Sequence, residues 1–285
     1  QLEDLKQKLD ARIKSLNILS APSNILEKIL EISKNLLLVV QKEIFSMNPK
    51  LIRTDDDIKV ATIAWSNPDT RNIAENTYGH ISHWDTSRVT NMENLFNGYT
   101  DNGGDAIMQS FNDDISRWDT SNVTTMKYMF FFAHAFNGDL SRWDTSNVTN
   151  MDFMFYDTQA FNGDLSRWNT SKVTNMQYMF TNAFAFNGNL SRWDTSKVTT
   201  MQGMFCFANA FNGNLSGWNT SNVTIMSSMF NNARAFNDDI SRWDVSNVTT
   251  MNYMFMNARA FNGDLSRWHT SNVTTMNGMF NNSSL

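Results

Sequence analysis

A unit of 25 residues repeats without interruption from Phe111 to Leu285. Its copies share the pattern F-N-x-D/N-I/L-S-R-W-D-T-S-N-V-T-x-M-x-x-M-F-x-x-A-x-A, with tryptophan at positions 118, 143, 168, 193, 218, 243 and 268. A fixed period of about 20 to 50 residues is typical of solenoids, propellers and repeat arrays. This unit is too short for a propeller blade and buries too little apolar surface to fold alone. The period therefore predicts a solenoid in which each unit packs on the next.

Two elements are predicted within each unit. Residues 140–146 alternate in character, with Trp143 and Thr145 on one side, which predicts a strand. Residues 148–155 carry apolar side chains at i, i+3 and i+4, which predicts a short helix with Thr149 as its N-cap. We therefore expect an α/β repeat solenoid with a parallel β-sheet on one face and short helices on the other.

An invariant asparagine follows the first phenylalanine of every unit. We expect these side chains to form an internal ladder that satisfies backbone groups of neighbouring turns. The column consists of Asn112, Asn137, Asn162, Asn187, Asn212, Asn237 and Asn262. The next residue is glycine in five units and aspartate in two, Asp113 and Asp238, which predicts a backbone with positive φ.

Four regions are predicted along the chain. Residues 1–48 form a helical pair, 49–80 a helical cap, 81–110 a degenerate first repeat and 111–285 the seven full repeats. In the cap we expect one helix over residues 54–65 and a second that ends near Gly79, with a break at Pro68. The second helix of the pair has a wide apolar stripe, so it either packs on its neighbour and the solenoid end or serves as a docking or oligomerisation element.

The degenerate repeat contains an insertion, because Trp84 and Trp118 are 34 residues apart rather than 25. Within it, Asp101 and Asp105 carry oxygen ligands suited to a hard cation, but they lack the spacing of a known calcium loop. We favour a plain surface loop. We expect no cofactor.

Composition narrows the functional classes. The net charge is -5 and 41% of the residues are hydrophobic, which fits a soluble protein with an ample core. No segment forms a basic stripe for nucleic acid. The longest apolar stretch, residues 36–40, is far shorter than the ~20 residues that span a bilayer, so we expect no transmembrane insertion. The single Cys206 excludes a disulfide framework and is expected to be a buried apolar residue, and the four histidines form no catalytic constellation, so we expect no enzyme.

The repeat resembles that of BspA-like leucine-rich-repeat surface proteins. The phrase F-N-G-D-L-S-R-W-D-T-S-N-V-T-N-M-D-F-M-F, at residues 136–155, is similar to the methionine- and tryptophan-rich repeats of mycoplasma and Listeria surface lipoproteins. Similar arrays occur in algae and large DNA viruses. The resemblance covers residues 81–285, and residues 58–79 look like a cap that precedes such arrays. It implies a right-handed leucine-rich-repeat-like solenoid used for adhesion or protein contact, with no catalytic residues to transfer.

One column of charged side chains is predicted on the strand face. Its candidate residues are Arg117, Arg142, Arg167, Arg192, Asp119, Asp144 and Asp194. Two interpretations remain open. The column is either an ion ladder that satisfies itself, as the joint change to Gly217 and Asn219 suggests, or a groove for an acidic partner segment near Asn169, Asn219 and His269.

Aromatic side chains vary between units and concentrate in the first four. They are Tyr128, Phe131, Phe132, Phe153, Tyr156, Tyr178, Phe184 and Phe207. They are either buried against neighbouring helices or the N-terminal pair, or they form a hydrophobic contact surface.

These patterns favour a non-catalytic scaffold for protein–protein contact or adhesion at a cell or particle surface, although a cytoplasmic location stays open. The protein partner would bind the helical face or the N-terminal helices. The alternative is a structural component of a large assembly such as a virion or cell envelope. Ice binding by the threonines is a remote alternative, because Thr145-type residues are expected to point inward and Thr149-type residues to cap helices.

Overall fold

The structure is a computed structural model that describes residues 49–99 and 105–284. The chain divides into two compact units, Gln1–Pro49 and Lys50–Leu285. The helical pair predicted for residues 1–48 lies outside the described residues. The cap and the repeats belong to the second unit.

A small cap precedes the repeats and contains both helices that the sequence predicts for it. The first begins later than residue 54 because the Asp57 carboxylate accepts a hydrogen bond from the Thr54 backbone N–H (2.8 Å) and closes a turn there. The cap strand β1 pairs in parallel with β2 of the degenerate repeat. The elements are the 3-10 helix Pro49–Leu51, β1 (Ile52–Thr54), α1 (Ile58–Ser66), α2 (Arg71–Tyr78), the 3-10 helix Ile81–His83 and β2 (Asp85–Arg88).

Asp113 joins this cap to the first full repeat. Its carboxylate accepts hydrogen bonds from the Trp65 indole N–H (2.9 Å) and the Arg71 guanidinium (2.6 Å). This explains why the unit carries aspartate where most units carry glycine. The predicted positive φ at that position is wrong: the described glycines with positive φ are Gly79, Gly203 and Gly278. An added Cβ at Gly138, for example, would lie 2.9 Å from the Phe136 ring, so a larger residue there requires the ring to shift.

The repeats stack in register. Parallel bridges join equivalent residues of successive units, from Thr125 and Asn150 through to Thr250 and Thr275. We call each unit a rung, from rung 1 (residues 111–135) to rung 7 (residues 261–285), and a set of equivalent residues a column. Because each residue meets its own equivalent 25 positions away, every column runs continuously along the stack.

The helix predicted for each unit is wrong. Residues 126–132 form successive tight turns, in which Met129 N–H donates to the Met126 carbonyl (3.2 Å) and residues 128 and 132 have positive φ. The N–H groups of alternate residues donate to the next rung instead, as Phe130 does to Met154 (2.9 Å). An α-helix would direct these N–H groups along its own axis. The turns are more stable here than a helix because their backbone hydrogen-bonds to neighbouring rungs and still buries the residues at i, i+3 and i+4.

The strand predicted for residues 140–146 is also wrong, although its inward and outward pattern is confirmed. Trp143 and Thr145 are buried, whereas Arg142 and Asp144 are exposed. The backbone turns here, since Trp143 N–H donates to the Leu140 carbonyl (3.1 Å). The β-structure between full rungs is therefore a single column of bridges rather than a broad sheet.

Side-chain ladders hold the rungs together. The Trp143 indole N–H donates to the Ile115 carbonyl of the previous rung (3.2 Å), and the Thr145 hydroxyl donates to the Asn169 carbonyl of the next (3.0 Å). The Trp118 and Trp143 rings are parallel within 2° at 6.5 Å. These bonds satisfy buried polar groups that would otherwise destabilise the fold.

The predicted asparagine ladder is present but lies at the surface rather than inside. The Asn112 side-chain oxygen accepts a hydrogen bond from Asn137 N–H (2.9 Å), and the same bond recurs up to Asn262. Both residues are exposed. The column therefore stabilises an outer edge of the stack.

Candidate functional site

Six of the eight aromatic side chains singled out from the sequence form one ring cluster. Tyr128, Phe153 and Tyr178 stack across rungs 1 to 3, with ring centroids 4.9 and 4.8 Å apart and planes tilted by 26°. Beside them, the Phe131 and Tyr156 rings lie 4.9 Å apart with their planes tilted by 33°. Phe132 completes the set, 4.8 Å from Phe131 and 5.6 Å from Tyr156. All six side chains are half-buried. We call these residues, together with Tyr99, the aromatic cluster.

Tyr99 belongs to this cluster although the sequence reasoning missed it. It is 49% exposed, and its ring lies 5.3 Å from Phe132 and 5.9 Å from Phe131. It lies in the insertion of the degenerate repeat, so no alignment of the seven full units could place it. The cluster therefore extends from the degenerate repeat to rung 3.

Phe184 and Phe207 do not join the cluster. They are 39% and 40% exposed, and neither ring contacts another described aromatic ring. Tyr253, in the same column as Tyr128, was also overlooked and is 44% exposed in rung 6. Aromatics are thus enriched in the first rungs but not confined to them.

The backbone beneath the cluster is unusual. Tyr128, Phe132, Phe153 and Tyr178 have φ between 54° and 59°, in the left-handed region. This conformation costs bulky L-residues about 1–2 kcal/mol each and favours glycine or asparagine. Other units follow that preference at the same two columns, with Asn94, Asn182, Gly203, Asn232, Asn257 and Gly278. The geometry of the stack therefore imposes the left-handed turn but does not require an aromatic residue there.

Charged groups border the cluster on one side. The Lys127 ammonium lies 4.9 Å from the centre of the Tyr128 ring and 3.3 Å from the Asp152 carboxylate. Asp152 is only 1% exposed, and one of its carboxylate oxygens has no hydrogen-bond partner. Burial raises the pKa of Asp152, against the opposing effects of Gln177 and Lys127.

On the other side, His134 pairs with Asp157 at 3.0 Å. The His134 ring also lies 5.8 Å from that of Phe132. Burial raises the pKa of the neighbouring Tyr156, with a smaller contribution from the charge of Asp157. The aromatic cluster thus has polar margins.

The charged column is not the ion ladder that the sequence favoured. Arg117, Arg142, Arg167 and Arg192 are exposed, and none of them pairs with a carboxylate of the described residues. The aspartates are held within their own turns: Asp119, Asp144 and Asp194 accept hydrogen bonds from the backbone N–H two residues later, at 2.9 to 3.0 Å. For Asp194, the hydrogen bonds from Ser196 lower the pKa of the carboxyl. The guanidinium groups are therefore available to a partner.

The threonines form one exposed column rather than helix caps. The Thr149 hydroxyl donates to the Thr124 carbonyl of the previous rung (3.2 Å), which corrects the predicted N-cap. Two residues earlier in each unit, however, the side chain is asparagine or, at Lys172 and Lys197, lysine. The stack therefore presents no double row of threonines in the rungs that the structure describes.

The remaining sequence candidates have structural roles. Asp101 lies outside the described residues. Asp105 caps the short helix α3 (Ala106–Gln109) by accepting a hydrogen bond from Ile107 N–H (3.0 Å). Cys206 is buried, as predicted, and burial raises the pKa of its thiol to about 12.

Two absences hold for the described part of the chain. Among residues 49–99 and 105–284, no cluster of three or more histidine, cysteine or acidic side chains is arranged to hold a metal. The same residues include no helix that is long and apolar enough to cross a bilayer.

One protein family matches this sequence. Its model, described as "Mycoplasma protein of unknown function, DUF285", matches residues 69–193 and 184–285. These segments cover the second helix of the cap, the degenerate repeat and all seven rungs. No curated protein and no solved structure matches the chain.

Proposed function

We propose that the chain, which belongs to the DUF285 family, is a non-catalytic repeat scaffold that binds a protein partner through its aromatic cluster. The parallel, in-register bridges between rungs support a solenoid arrangement. A narrower relationship to BspA-like surface proteins, a role in adhesion and a location at a cell or particle surface are part of this proposal.

The observation that carries the proposal is the presence of bulky rings at left-handed positions. The left-handed backbone conformation at each of these positions costs a bulky residue about 1–2 kcal/mol. Asn94 and Gly203 show that the column of Tyr128 accepts residues suited to the turn. Contacts between the rings roughly offset this strain, so Tyr128, Phe153 and Tyr178 add little net stability, and backbone strain of this kind concentrates at functional sites.

The orientation of the rings favours an apolar protein surface. Because Tyr128, Phe153 and Tyr178 stack face to face along the rungs, their edges rather than their faces are turned outward. Sugars pack on ring faces, which are already covered here. Aromatic residues are enriched at the energetic centres of protein interfaces, where a polar margin surrounds them. Lys127 and His134 supply such a margin.

The test replaces Tyr128 and Phe153 together by asparagine. Asn94 occupies the same column with a φ of 62°, so the substituted residue suits the turn. The binding partner would be isolated by copurification with the native chain, and its affinity measured for both proteins. We expect the double variant to bind at least about tenfold more weakly, as hot-spot residues do, while its Tm changes by no more than a few degrees.

Tyr253→Asn is the matched control, because it changes the same column outside the aromatic cluster. It should leave the affinity unaltered. Equal affinity of the wild-type chain and the double variant would contradict the proposal. Equal weakening by the control would also contradict it, because the effect would then not depend on the cluster.

A further inference from the structure

The distribution of charge changes abruptly between two pairs of rungs. Rungs 1 and 2 carry three basic and seven acidic side chains, whereas rungs 3 and 4 carry four basic and two acidic ones. The four basic residues are Arg167, Lys172, Arg192 and Lys197, and all of them are exposed. In a chain with a net charge of -5, these two rungs form a local excess of positive charge.

This excess arises from substitutions at columns that are otherwise acidic or neutral. Asn169 stands where the neighbouring rungs have Asp144 and Asp194. Lys172 and Lys197 stand where most rungs have asparagine, as at Asn147. The backbone turn tolerates either asparagine or aspartate at this column. The Asn169 side chain accepts a hydrogen bond from Ser171 N–H (3.1 Å), just as Asp144 accepts one from Ser146 N–H (2.9 Å).

A shallow, open depression lies at the centre of these changes. Arg167, Asn169 and Arg192 line it, with Asp194 as the one carboxylate on its wall. One oxygen of Asp194 accepts the Ser196 N–H bond (2.9 Å). Neither arginine pairs with a carboxylate of any described residue. Lys172 donates to the neutral Asn147 side chain (2.7 Å), so its charge is not neutralised either.

We propose that Arg167, Lys172, Arg192 and Lys197 form a docking strip for an acidic peptide segment of a partner protein. The strip presents two cations per rung, and neighbouring rungs of parallel β-structure are about 4.8 Å apart. Guanidinium groups bind carboxylates through paired hydrogen bonds, and exposed complementary charges accelerate association.

The limits of the strip favour a short peptide over nucleic acid. On one side, rung 2 places two aspartates, Asp139 and Asp144, in the columns that flank Arg142. The rungs of the strip keep only one each, Asp164 in rung 3 and Asp194 in rung 4. On the other side, rung 5 has Gly217 in the arginine column and no lysine in the next basic column. The positive charge therefore extends over two rungs, whereas nucleic acid requires a longer basic surface to track its phosphates.

The test uses the full chain and a fluorescein-labelled polyglutamate peptide, with binding measured by fluorescence anisotropy in about 20 mM salt, where screening is weak. The test variant carries three substitutions, Asn169→Asp, Lys172→Asn and Lys197→Asn. Other rungs already have these residues in the same columns, so the fold should be retained. We expect its affinity for the peptide to be at least about tenfold lower than that of the wild-type chain. Added salt should weaken the wild-type complex.

Two controls separate the strip from general effects. Arg242→Ala removes an arginine of the same column that is flanked by Asp239 and Asp244, and it should change the affinity less than about twofold. The aromatic double variant Tyr128→Asn, Phe153→Asn should bind the peptide as the wild-type chain does. The outcome for the strip is therefore independent of the outcome for the aromatic cluster.

Three results would overturn the proposal. The wild-type chain could fail to bind the peptide in low salt, or the triple variant could bind it as tightly as the wild-type chain does. A single-stranded oligonucleotide of matched length could also displace the peptide at the same concentration as unlabelled polyglutamate, which would point to a general anion site.

Discussion

Rungs 1–3 and rungs 5–7 share the same backbone turns and stacked columns, which we call the frame, but they differ in the side chains at the left-handed positions. Rungs 1–3, 5 and 6 bury the same columns of tryptophan, methionine and phenylalanine, whereas in rung 7 Met276 and Phe280 are 43% and 39% exposed. Both groups have left-handed residues at two positions of every rung. The first group fills those positions mainly with tyrosine and phenylalanine, and the second mainly with asparagine, glycine and serine. The comparison separates residues that the stack requires from residues that it only accepts.

The largest effect should come from the shared frame. Trp143→Ala in rung 2 and Trp218→Ala in rung 5 should each lower the free energy of unfolding by about 3–5 kcal/mol, because each leaves a cavity and an unpaired carbonyl. Chemical denaturation measures both. A much smaller cost in one rung than in the other would show that the two regions do not share one frame.

A smaller effect should follow when the polar margin of rung 2 is made like that of rung 6. Asp152→Asn introduces the residue found at Asn252 and should raise the free energy of unfolding by about 1–2 kcal/mol at pH 7, because it replaces a buried and incompletely hydrogen-bonded carboxylate by a neutral amide. Thermal melts across pH measure this difference. Asp144→Asn, on the exposed side of the same rung, should change stability by less than about 0.5 kcal/mol.

The pH dependence of Asp152→Asn has a definite sign. Burial raises the pKa of Asp152 in the folded chain, so the wild-type protein gains relative stability as the pH falls and the carboxyl is protonated. The advantage of the variant should therefore shrink below neutral pH. An advantage that grows in acid would contradict this account.

The left-handed columns offer a finer comparison. Tyr253→Asn relieves backbone strain at a ring that contacts no described aromatic ring, and should raise the free energy of unfolding by about 0.5–1 kcal/mol. Tyr128→Asn relieves the same strain but loses ring contacts with Phe131 (5.1 Å) and Phe153 (4.9 Å). Such contacts contribute about 0.5–1.5 kcal/mol each, so its net change should be near zero or negative. Urea titrations of the two single variants should rank them in this order.

The smallest effect is expected when the native chain is treated with an alkylating reagent, because its one cysteine is the buried Cys206. This residue lies in rung 4, between the two regions. Burial raises the pKa of its thiol to about 12, so at pH 8 nearly all of it is protonated. The thiolate is the form that reacts with alkylating reagents. Iodoacetamide should therefore label the native chain far more slowly than the urea-unfolded chain, as mass spectrometry would show. Comparable rates would mean that this rung opens readily.

The sequence predicted the period, the stacking of units and the inward face correctly, because exact repetition acts as an internal alignment. It failed on local structure for a physical reason. Met126, Met129, Phe130 and Ala133 have helical spacing, but two consecutive four-residue turns bury the same positions. Burial periodicity alone does not distinguish the two, and the deciding hydrogen bonds run between rungs.

The site was predicted in part for a similar reason. Tyr128, Phe153 and Tyr178 were identified because they vary where the frame is constant, and stacking then brings them together. Tyr99 lies outside the 25-residue register and gave no signal. The arginine column was misinterpreted because charge alternation along the sequence suggested pairing. Hydrogen bonds within the turns hold Asp119 and Asp144 instead.

Because equivalent residues of neighbouring rungs are always 25 residues apart, the number of rungs in the stack can change without altering the contacts between rungs. Deleting or duplicating one unit between rungs 2 and 6 would bring Asn, Trp and Thr columns back into register, because each new neighbour presents the same groups as the old one. Recombination between similar coding repeats could therefore lengthen the aromatic cluster or the docking strip within a single genetic event. Such a change in the number of units would alter the exposed surfaces while the fold of each unit stays the same.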